Sequence, residues 1–501
     1  MAGALVALSV EKKVYAASEG SANIDLAFAT DLFWLTFYHH HLINTKFGGM
    51  ATLSPAGAEE PIIVETHRGE FGEQFERDLE MFRAPLGISH IGSRVRQPYL
   101  LKRSAFPFFA ICFAGLVSNR EEIISMITKT GHGLGMTDDV ALIAQLIVKA
   151  GWDGEKNADE NFRAGIIRMT EELEGAYALA ILTERKIYVV RGPDGHEAIS
   201  LGGKSGAIVA ASESCAFYNQ GFEFVRGLDP GEMVILENGR MESKGVIQTK
   251  KKIRDQVCSF GPVYTSFPTT VLSGISARET RKRLGARLAE RDIAKRFIPD
   301  IVIDVPDSGR FSGIGYLDRF IQAMIAGEIT RMPIFDEILI KYPDVGRSFV
   351  QNNGPKRKMV ARKKLIPAIE VDPAAIKTYL REGQKKIVIV VLDDSIVRGT
   401  QTVSDLVPKI KAAFASVMPE IEIEIHLRIS NPKLLSYCPW GKELKKGEDL
   451  AAVDETGRVR KSEEIAKRLG VASCFFTTVD DLAEATGVPL ERLCVDCDKC
   501  H

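Results

Sequence analysis

The sequence has no apolar run long enough to cross a bilayer. Its longest, Phe106 to Val117, falls short of the roughly 20 residues that a membrane helix needs. The apolar start, MAGALVALSVEKK, is too short for a secretion signal. Neither sign of charge is in excess, since 65 Lys and Arg oppose 66 Asp and Glu. This balance gives no reason to expect nucleic acid or a membrane surface as a partner, and we expect a cytoplasmic protein.

Cysteine is also scarce, with 8 residues in 501. So few cysteines do not make a disulfide framework, and in a cytoplasmic chain clustered cysteines favour metal binding. The stretch CVDCDKCH near the C-terminus contains three of them. Its Cys-x-x-Cys spacing alone favours zinc, and a reduced tail without metal is the other alternative. Three further cysteines lie in apolar runs and are predicted core residues: Cys112, Cys215 and Cys474.

The length of the chain predicts two large domains, because 501 residues exceed one ordinary core. In the first half, strand-like runs such as FPFFAICFAGLV alternate with helical patterns at Thr137 to Ala150 and Asn157 to Leu173. This layout predicts antiparallel sheets covered by helices. After the charged stretch TKKKIRD, strands lead into Gly loops and then into helices, expected at Phe311 to Ala326 and Val403 to Ala415. Such alternation predicts a mostly parallel sheet.

One strand of that parallel sheet ends in two acids. Lys386 to Leu392 is nearly all apolar, as a buried parallel strand is, and Asp393 and Asp394 follow at its carboxyl end, where ligands bind. The next residues, Ser395 to Thr402, can direct N–H groups and hydroxyls at a phosphate. The acids themselves suit sugar hydroxyls or Mg²⁺. Taken alone, paired acids are usually a solvated strand end.

The whole string DDSIVRGT resembles the signature that binds 5-phosphoribosyl-1-pyrophosphate (PRPP) in type I phosphoribosyltransferases. VPDSGRFSGIGY resembles the pyrophosphate loop of that family. The basic stretch from Lys341 to Leu365, which by itself is typical of a solvated face or a nucleic-acid patch, resembles its flexible loop. The resemblance implies a Mg²⁺ ion held by Ser308, Asp393 and Asp394. The PRPP-binding residues that it implies are Asp307, Ser308, Gly309, Lys341, Arg347, Lys364, Asp393, Asp394, Ser395, Val397, Arg398, Gly399 and Thr400.

Together with HLRISNPKLLSYCPWG, these stretches resemble the amidophosphoribosyltransferases of purine biosynthesis, which are glutamine PRPP amidotransferases. In the first half, GAYALAILTERKIYVVRGPDGHEAISLG, ASESCAF and FVRGLDPGEMVIL fit the same family. The resemblance implies an N-terminal-nucleophile-hydrolase-like αββα sandwich followed by a type I phosphoribosyltransferase parallel sheet. We place a class II glutamine-amidotransferase-like domain at 1–247 and the transferase domain, with its Cys-rich tail, at 248–501. A homo-oligomer, dimer or tetramer, is also implied.

The resemblance also implies a role for four of the cysteines. Some members of the family hold a four-iron cluster with four cysteines that are far apart in sequence. Cys258, Cys438, Cys494 and Cys497 stand at the corresponding positions here. Four cysteine ligands are what a cubane cluster requires. The resemblance therefore implies a 4Fe-4S cluster in preference to zinc, with a structural role.

The glutaminase half departs from the family pattern. Family members expose an N-terminal cysteine whose thiolate attacks glutamine. Here Ala2 replaces that nucleophile, Gly92 replaces the arginine that binds the glutamine carboxylate, and Ala114 replaces the asparagine of the oxyanion hole. His90 and the substrate-binding aspartate, as Asp138, are retained. We therefore predict no catalytic residue in this half, and a glutaminase by descent without the activity.

Three adjacent histidines, His39, His40 and His41, follow a helical pattern in the same half. They fall where the family has the turn sequence LQHRGQ. Adjacent side chains seldom converge on one ion, so we expect solvated or packed histidines and no metal site. A substitute for the missing nucleophile is not expected here.

The leading hypothesis is a pentosyltransferase that makes 5-phosphoribosylamine from PRPP and ammonia, with Mg²⁺. Two alternatives stay open. The chain could be a synthase subunit fed by a separate glutaminase, or a non-catalytic PRPP-binding regulatory paralog. Regulators with the PRPP fold carry a winged-helix domain, of which this sequence shows no sign. The pyrophosphate and flexible loops favour chemistry over sensing.

Overall fold

The computed structural model describes residues 3–20, 23–42, 46–69, 71–75, 78–103, 106–129, 138–149, 153–247, 251–341, 365–367, 381, 383–400, 402–440 and 449–499. The chain divides into two compact units. The N-terminal unit comprises Met1–Val257, Thr269–Gly274 and Trp440–Lys442. The C-terminal unit comprises Cys258–Pro268, Ile275–Pro439 and Glu443–His501. Among the described residues, no helix combines the length and the apolar character needed to cross a membrane.

The first unit extends past the domain boundary that we placed after residue 247. Residues 251 to 257 pack on the N-terminal unit although most of them are polar or charged. The Arg254 N–H donates to the Pro193 carbonyl oxygen over 2.8 Å. Ile253 lies against Gly231, where an added Cβ would come within 2.6 Å of Ile253 Cδ1. These contacts explain why the first segment of the N-terminal unit ends at Val257.

In the part of the N-terminal unit that the structure describes, there are two antiparallel sheets and six helices. The helices are α1 Lys12–Glu19, α2 Ile24–Phe37, α3 Phe71–Phe75, α4 Arg120–Thr128, α5 Asp139–Lys149 and α6 Ala158–Glu172. The strands are β1 Gly3–Val10, β2 Phe47–Leu53, β3 Ile62–Arg68, β4 Leu86–Gly92, β5 Tyr99–Arg103, β6 Phe106–Gly115, β7 Tyr177–Leu182, β8 Ile187–Arg191, β9 Ser200–Lys204, β10 Ala207–Ala211, β11 Glu223–Gly227, β12 Glu232–Glu237 and β13 Arg240–Val246. Their orders are β11-β9-β10-β1-β4-β2-β3 and β13-β12-β8-β7-β6-β5.

Side-chain alternation along β1 shows how the layers stack. Leu5 and Ala7 point into the core between the two sheets, where they meet Ala110 and other residues of β6. Val6 and Leu8 point the other way, into a core shared with α2. A third core joins the outer face of the second sheet to α5 and α6. Because each strand residue faces the side opposite to its neighbour's, both faces of β1 are buried, and the four layers are αββα as expected.

The remaining strands are β14 Val257–Cys258, β15 Val271–Leu272, β16 Ile275–Ser276, β17 Ile301–Asp304, β18 Ile334–Phe335, β19 Leu339–Lys341, β20 Leu365–Pro367, β21 Lys386–Asp393, β22 Glu422–Ile429, β23 Ser473–Phe476 and β24 Leu493–Cys494. The parallel sheet of the C-terminal unit has the order β18-β17-β21-β22-β23. The helices are α7 Ala277–Ala294, α8 Arg310–Ile325, α9 Val407–Val417, α10 Ser462–Leu469 and α11 Val479–Thr486. The predicted combination of an αββα sandwich and a parallel sheet is confirmed.

The helix expected at Val403 to Ala415 starts differently. Thr402–Leu406 form a wider π turn, and regular α-helix follows at Val407–Val417. Pro408 sits in the first turn of that helix. Proline has no N–H to donate to the preceding turn, so it fits an α-helix only at its start. The proline therefore fixes where the α-helix begins.

Candidate active site

The order of the parallel sheet places two predicted loops side by side. In chain order the strands run 2-1-3-4-5, so the direction of winding reverses between β17 and β21. Ligands of such sheets bind at this reversal, beyond the carboxyl ends of the strands. Asp304 at the end of β17 pairs with Leu392 of β21, and the Val305 N–H donates to the Leu392 carbonyl oxygen over 2.9 Å. The predicted pyrophosphate and PRPP loops thus leave the sheet at neighbouring positions.

The pyrophosphate loop runs from the end of β17 to the start of α8. A side chain at Gly309 would bring its Cβ within 2.3 Å of the Leu392 carbonyl oxygen, so only glycine allows this approach of the loop to β21. Helix α8 begins at the next residue, which directs its unpaired N-terminal amides toward the loop. Ser308 lies between Asp307 and Gly309, half-buried. The backbone here is suited to bind an anion.

The structure brings Lys341 to this loop. Its Nζ lies 2.8 Å from Asp307 Oδ2. Lys341 pairs with Leu365 in the two-stranded sheet of β19 and β20, so the two ends of the predicted flexible loop meet there. Arg347 and Lys364, also predicted to bind PRPP, lie outside the described residues.

The two acids at the end of β21 have different surroundings. Asp393 is half-buried, and its Oδ1 accepts the Asp394 N–H over 2.9 Å. The Asp394 side chain is buried and its Oδ1 accepts the Ser395 hydroxyl. Backbone hydrogen bonds from Ser430 and Asn431 hold both carbonyl groups, at 3.0 and 2.8 Å. Both carboxylates are therefore fixed at the carboxyl edge of the sheet.

The loop after the acids is held in place from its inner side. Ile396 is buried in the core, and the Val397 carbonyl oxygen accepts the Ala451 N–H over 2.7 Å. Gly399 has φ +74°, which favours glycine, and an added Cβ would meet Leu469 Cδ2 at 2.5 Å. Three polar residues of the loop stay partly exposed beside these anchors: Ser395, Arg398 and Thr400. The loop thus offers polar groups on a fixed backbone.

Asp304 is a carboxylate that we did not single out from the sequence. It ends β17, is only 5% exposed, and its Oδ2 has no hydrogen-bond partner among the described residues. Burial raises its pKa to about 6, opposed by Arg310 and assisted by Glu337 and Asp307. The sequence signal was present as the acid in DIVIDV, at a strand end like Asp393.

We expect Asp304 to make stability depend on pH. A carboxyl whose pKa is higher in the folded state than in the unfolded state stabilises the fold when it is protonated. For Asp304 this stabilisation is complete at a pH below the unfolded-state pKa of 3.8, and it is lost as the pH rises through the folded-state pKa of about 6. Between about pH 4 and pH 8 the free energy of unfolding of the wild type should therefore fall by about 1–3 kcal/mol more than that of Asp304→Asn. Denaturant unfolding at several pH values measures the difference, and parallel curves for the two proteins would contradict it.

Four cysteines converge in the C-terminal unit. Cys258, Cys438 and Cys497 belong to one apolar cluster with Phe260 and Leu434. Burial raises the pKa of Cys497 well above its usual value, and electrostatic repulsion from Asp498 and the other three cysteines adds to it. Burial raises the pKa of Cys494 too, with contributions from Cys258 and Cys438. No disulfide joins the described cysteines.

At the glutaminase-like end of the N-terminal unit, Gly92 pairs with Gly3 at the start of β1. The His90 ring covers Gly3 so closely that an added Cβ would lie 2.1 Å from its Nε2. Burial lowers the pKa of His90 to about 3, so the ring is neutral at physiological pH. Ala114 is buried in the apolar core between the sheets. Asp138 Oδ1 caps α5 by accepting the Ala141 N–H over 3.0 Å.

Comparison with known proteins identifies both halves. A family profile described as a glutamine amidotransferase domain matches residues 91–219. The amidophosphoribosyltransferase of Methanocaldococcus jannaschii is 31% identical over 432 residues, which cover 82% of each chain. That of Bacillus subtilis is 28% identical over 467 residues, which cover 90% of this chain and 88% of the relative.

A solved structure agrees in fold. The glutamine PRPP amidotransferase from B. subtilis, complexed with ADP and GMP, superimposes with a TM-score of 0.76 at 24% identity. The match covers 99% of this chain and 96% of the other. With the relatives above and the two adjoining loops of the parallel sheet, this likeness confirms the resemblance read from the sequence. The chain belongs to the amidophosphoribosyltransferase family, whose enzymes are pentosyltransferases of purine biosynthesis.

Proposed function

We propose that this enzyme makes 5-phosphoribosylamine from PRPP with ammonia, and not glutamine, as its nitrogen donor. One observation carries the transferase half of the proposal: the parallel pairing of Asp304 with Leu392, which sets the pyrophosphate loop beside the PRPP loop at the reversal of the sheet. In the cell the ammonia is free or comes from a separate glutaminase. We further propose a cytoplasmic homo-oligomer, dimer or tetramer.

The candidate residues bind different parts of PRPP according to their charge. The loop Ser395 to Thr400 binds the 5-phosphate through backbone amides and hydroxyls. Asp393 and Asp394 hold the ribose and stabilise the positive charge that develops on it. Residues Asp307 to Gly309 and Lys341 bind the pyrophosphate. These side chains also fit a magnesium ion, since carboxylate and hydroxyl oxygens of Ser308, Asp393 and Asp394 are hard ligands, and the bound ion would neutralise phosphate charge.

The chemical step needs no nucleophile from the protein. The ammonia lone pair forms the C1–N bond while the C1–O bond breaks, and the pyrophosphate leaves with that electron pair. The new ammonium group then loses a proton to water. Positioning and electrostatic stabilisation supply the catalysis.

Three features support an inactive glutaminase half. Ala2 offers no attacking atom, Gly92 offers no cation for the glutamine carboxylate, and Ala114 is a methyl group within an apolar core. His90 does not compensate, because a buried neutral ring with a pKa of about 3 is a poor base. Ala2 itself lies outside the described residues.

We also propose that Cys258, Cys438, Cys494 and Cys497 hold a 4Fe-4S cluster. The donor set fits, since Cys258, Cys438 and Cys497 belong to one apolar cluster and Cys494 is close enough to interact electrostatically with Cys497. One zinc ion would need sulfur atoms roughly 3.8 Å apart. Among the described residues, the group of possible metal ligands whose ligand atoms all lie within 4.8 Å of one another does not include these cysteines. Their sulfur atoms are therefore farther apart than one zinc ion requires. When bound, the cluster would cross-link the C-terminal segment to the rest of its unit.

Cys258→Ser is expected to remove this cluster. Protein purified without oxygen should contain about four iron atoms per chain, with the broad visible absorption of a cubane cluster, and the variant should lose most of both. Its thermal unfolding temperature should fall, because metal binding contributes to folding. Cys474→Ala, a buried thiol of β23, is the matched control and should keep its iron. Equal iron in Cys258→Ser and wild type would contradict the assignment.

The function is tested by pyrophosphate release from PRPP and Mg²⁺ with ammonium or glutamine supplied separately. We expect release with ammonium and none with glutamine beyond the rate without a donor. Release with neither, combined with tight PRPP binding, would instead favour the regulatory paralog. Glutamine-dependent release only after addition of cell extract would point to a separate glutaminase subunit.

A further inference from the structure

We propose that His41, Glu213 and Cys215 form a binding site for a divalent transition metal of the zinc class. One ligand atom from each residue lies within 4.8 Å of the other two, and His41 Nε2 is 3.0 Å from Glu213 Oε2. Imidazole nitrogen, carboxylate oxygen and thiolate sulfur are the three donors that zinc accepts. The site is distinct from the four cysteines of the C-terminal unit.

The hydrogen-bond geometry of His41 favours a cation between its Nε2 atom and the Glu213 carboxylate. Its Nδ1 lies 2.6 Å from the Tyr38 carbonyl oxygen, which only accepts, so Nδ1 carries the hydrogen. In the neutral ring, Nε2 then has a lone pair, and that lone pair faces the Glu213 carboxylate. Two electron-rich atoms at this distance need a proton or a metal ion between them. An Nδ1–H donated to a backbone carbonyl is also the usual arrangement of a histidine that binds metal through Nε2.

The surroundings fix the ligands. Thr270 Oγ1 donates to Glu213 Oε2 over 2.9 Å, and the Glu213 N–H donates to His39 Nε2 over 3.1 Å. The Cys215 Sγ is 3.7 Å from the same Tyr38 carbonyl oxygen. The Glu213 side chain is 2% exposed and that of His41 is 11% exposed. Thr270 thus orients the carboxylate and His39 holds the backbone of Glu213, while the His41 imidazole stands near the surface, where an ion can enter.

Our expectation for the three histidines was therefore incomplete. His39 is packed, as expected, and His40 is exposed, but His41 joins residues from a distant part of the sequence. The site lies near the start of β1, since the Ser212 N–H donates to the Leu5 carbonyl oxygen over 3.0 Å. With three protein ligands, a tetrahedral ion keeps one position for water. On binding, the Cys215 thiol proton passes to solvent and no electron is transferred.

Titration of the full-length protein with Co²⁺ tests the site. Wild type should bind one more equivalent per chain than Cys215→Ser, and its thiolate-to-cobalt charge-transfer absorption should be correspondingly stronger than that of the variant. Counting the difference removes any contribution of the other cysteines. His41→Ala and Glu213→Gln should lose the same equivalent, and Thr270→Val should weaken it by about 10–100-fold. His40→Ala and Cys112→Ser are the matched controls and should titrate like wild type.

Equal binding by wild type, His41→Ala and Glu213→Gln would overturn the proposal and leave an imidazolium–glutamate ion pair as the explanation. Glu213→Gln keeps the shape and the Thr270 contact, so it decides the matter if Cys215→Ser fails to fold. Circular dichroism and a cooperative unfolding transition establish which variants are folded.

Discussion

Replacing Asp393 or Asp394 by asparagine is expected to lower kcat for phosphoribosylamine formation by about 100- to 1,000-fold. Asparagine keeps the shape and the backbone contacts of the strand end but removes the negative charge. That charge matters most when the C1–O bond breaks and the ribose becomes positive. The KM for PRPP should change less than kcat, because the interaction is stronger in the transition state than in the bound substrate. Initial rates with saturating ammonium measure both.

Glu424→Gln is the control for this pair. Glu424 lies on the adjacent strand β22, where its carboxylate is 2.7 Å from Lys386 Nζ in a partly exposed ion pair. Such pairs contribute little to stability because water and salt screen them, and this one is away from the carboxyl edge of the sheet. The variant should keep its activity within about twofold. Wild-type rates in both aspartate variants would show that the two acids are no more than a solvated strand end.

Restoring the nucleophile alone is expected not to restore the use of glutamine. In Ala2→Cys the thiol returns, but the carboxylate clamp at Gly92 and the oxyanion donor at Ala114 remain absent. Loss of one oxyanion donor costs about 10²–10³-fold in rate, so glutamine-dependent synthesis should stay at least about 100-fold below synthesis with ammonium. Glutamate release from glutamine is the direct readout, with mass spectrometry to verify that the initiator methionine is removed and the introduced cysteine is N-terminal.

Ala2→Ser serves as the matched variant, since it has the same processing requirement and a weaker nucleophile. Both variants should hydrolyse glutamine at the same background rate. Glutamine-dependent synthesis by Ala2→Cys that approaches the ammonium rate would contradict the account, because Ala2 would then be the sole lesion of an otherwise intact site.

Local signals predicted the elements that local contacts determine. The capping pair of α6 is an example: Asn157 Oδ1 accepts the Glu160 N–H, and Glu160 Oε2 accepts the Asn157 N–H. The helix expected from Asn157 to Leu173 is observed at Ala158–Glu172. The turn that joins β7 to β8 is also closed locally, by a hydrogen bond from the Thr183 N–H to the Lys186 carbonyl oxygen. The string DDSIVRGT likewise lies at the sheet edge predicted for it.

Features that depend on distant residues were not visible in the sequence. His41 and Glu213 are 172 positions apart, and nothing local to either indicates that they meet. The burial of Asp304 depends on how α8 packs. Gly313 of this helix lies so close to Asp304 that a Cβ added to the glycine would be 3.3 Å from Asp304 Oδ2. We placed the domain boundary before the charged residues that follow 250, because composition does not show which surface they pack on. Tertiary contacts decide all three cases.

We expect this chain to transfer nitrogen from ammonia and not from glutamine. The most direct measurement is a competition in one tube, with ¹⁵N-ammonium, unlabelled glutamine, PRPP and Mg²⁺ added to protein purified without oxygen. We expect phosphoribosylamine whose nitrogen is ¹⁵N throughout. Product nitrogen that is largely unlabelled, with glutamate formed in equal amount, would contradict the claim and show that a working glutaminase survives in the first half of the chain.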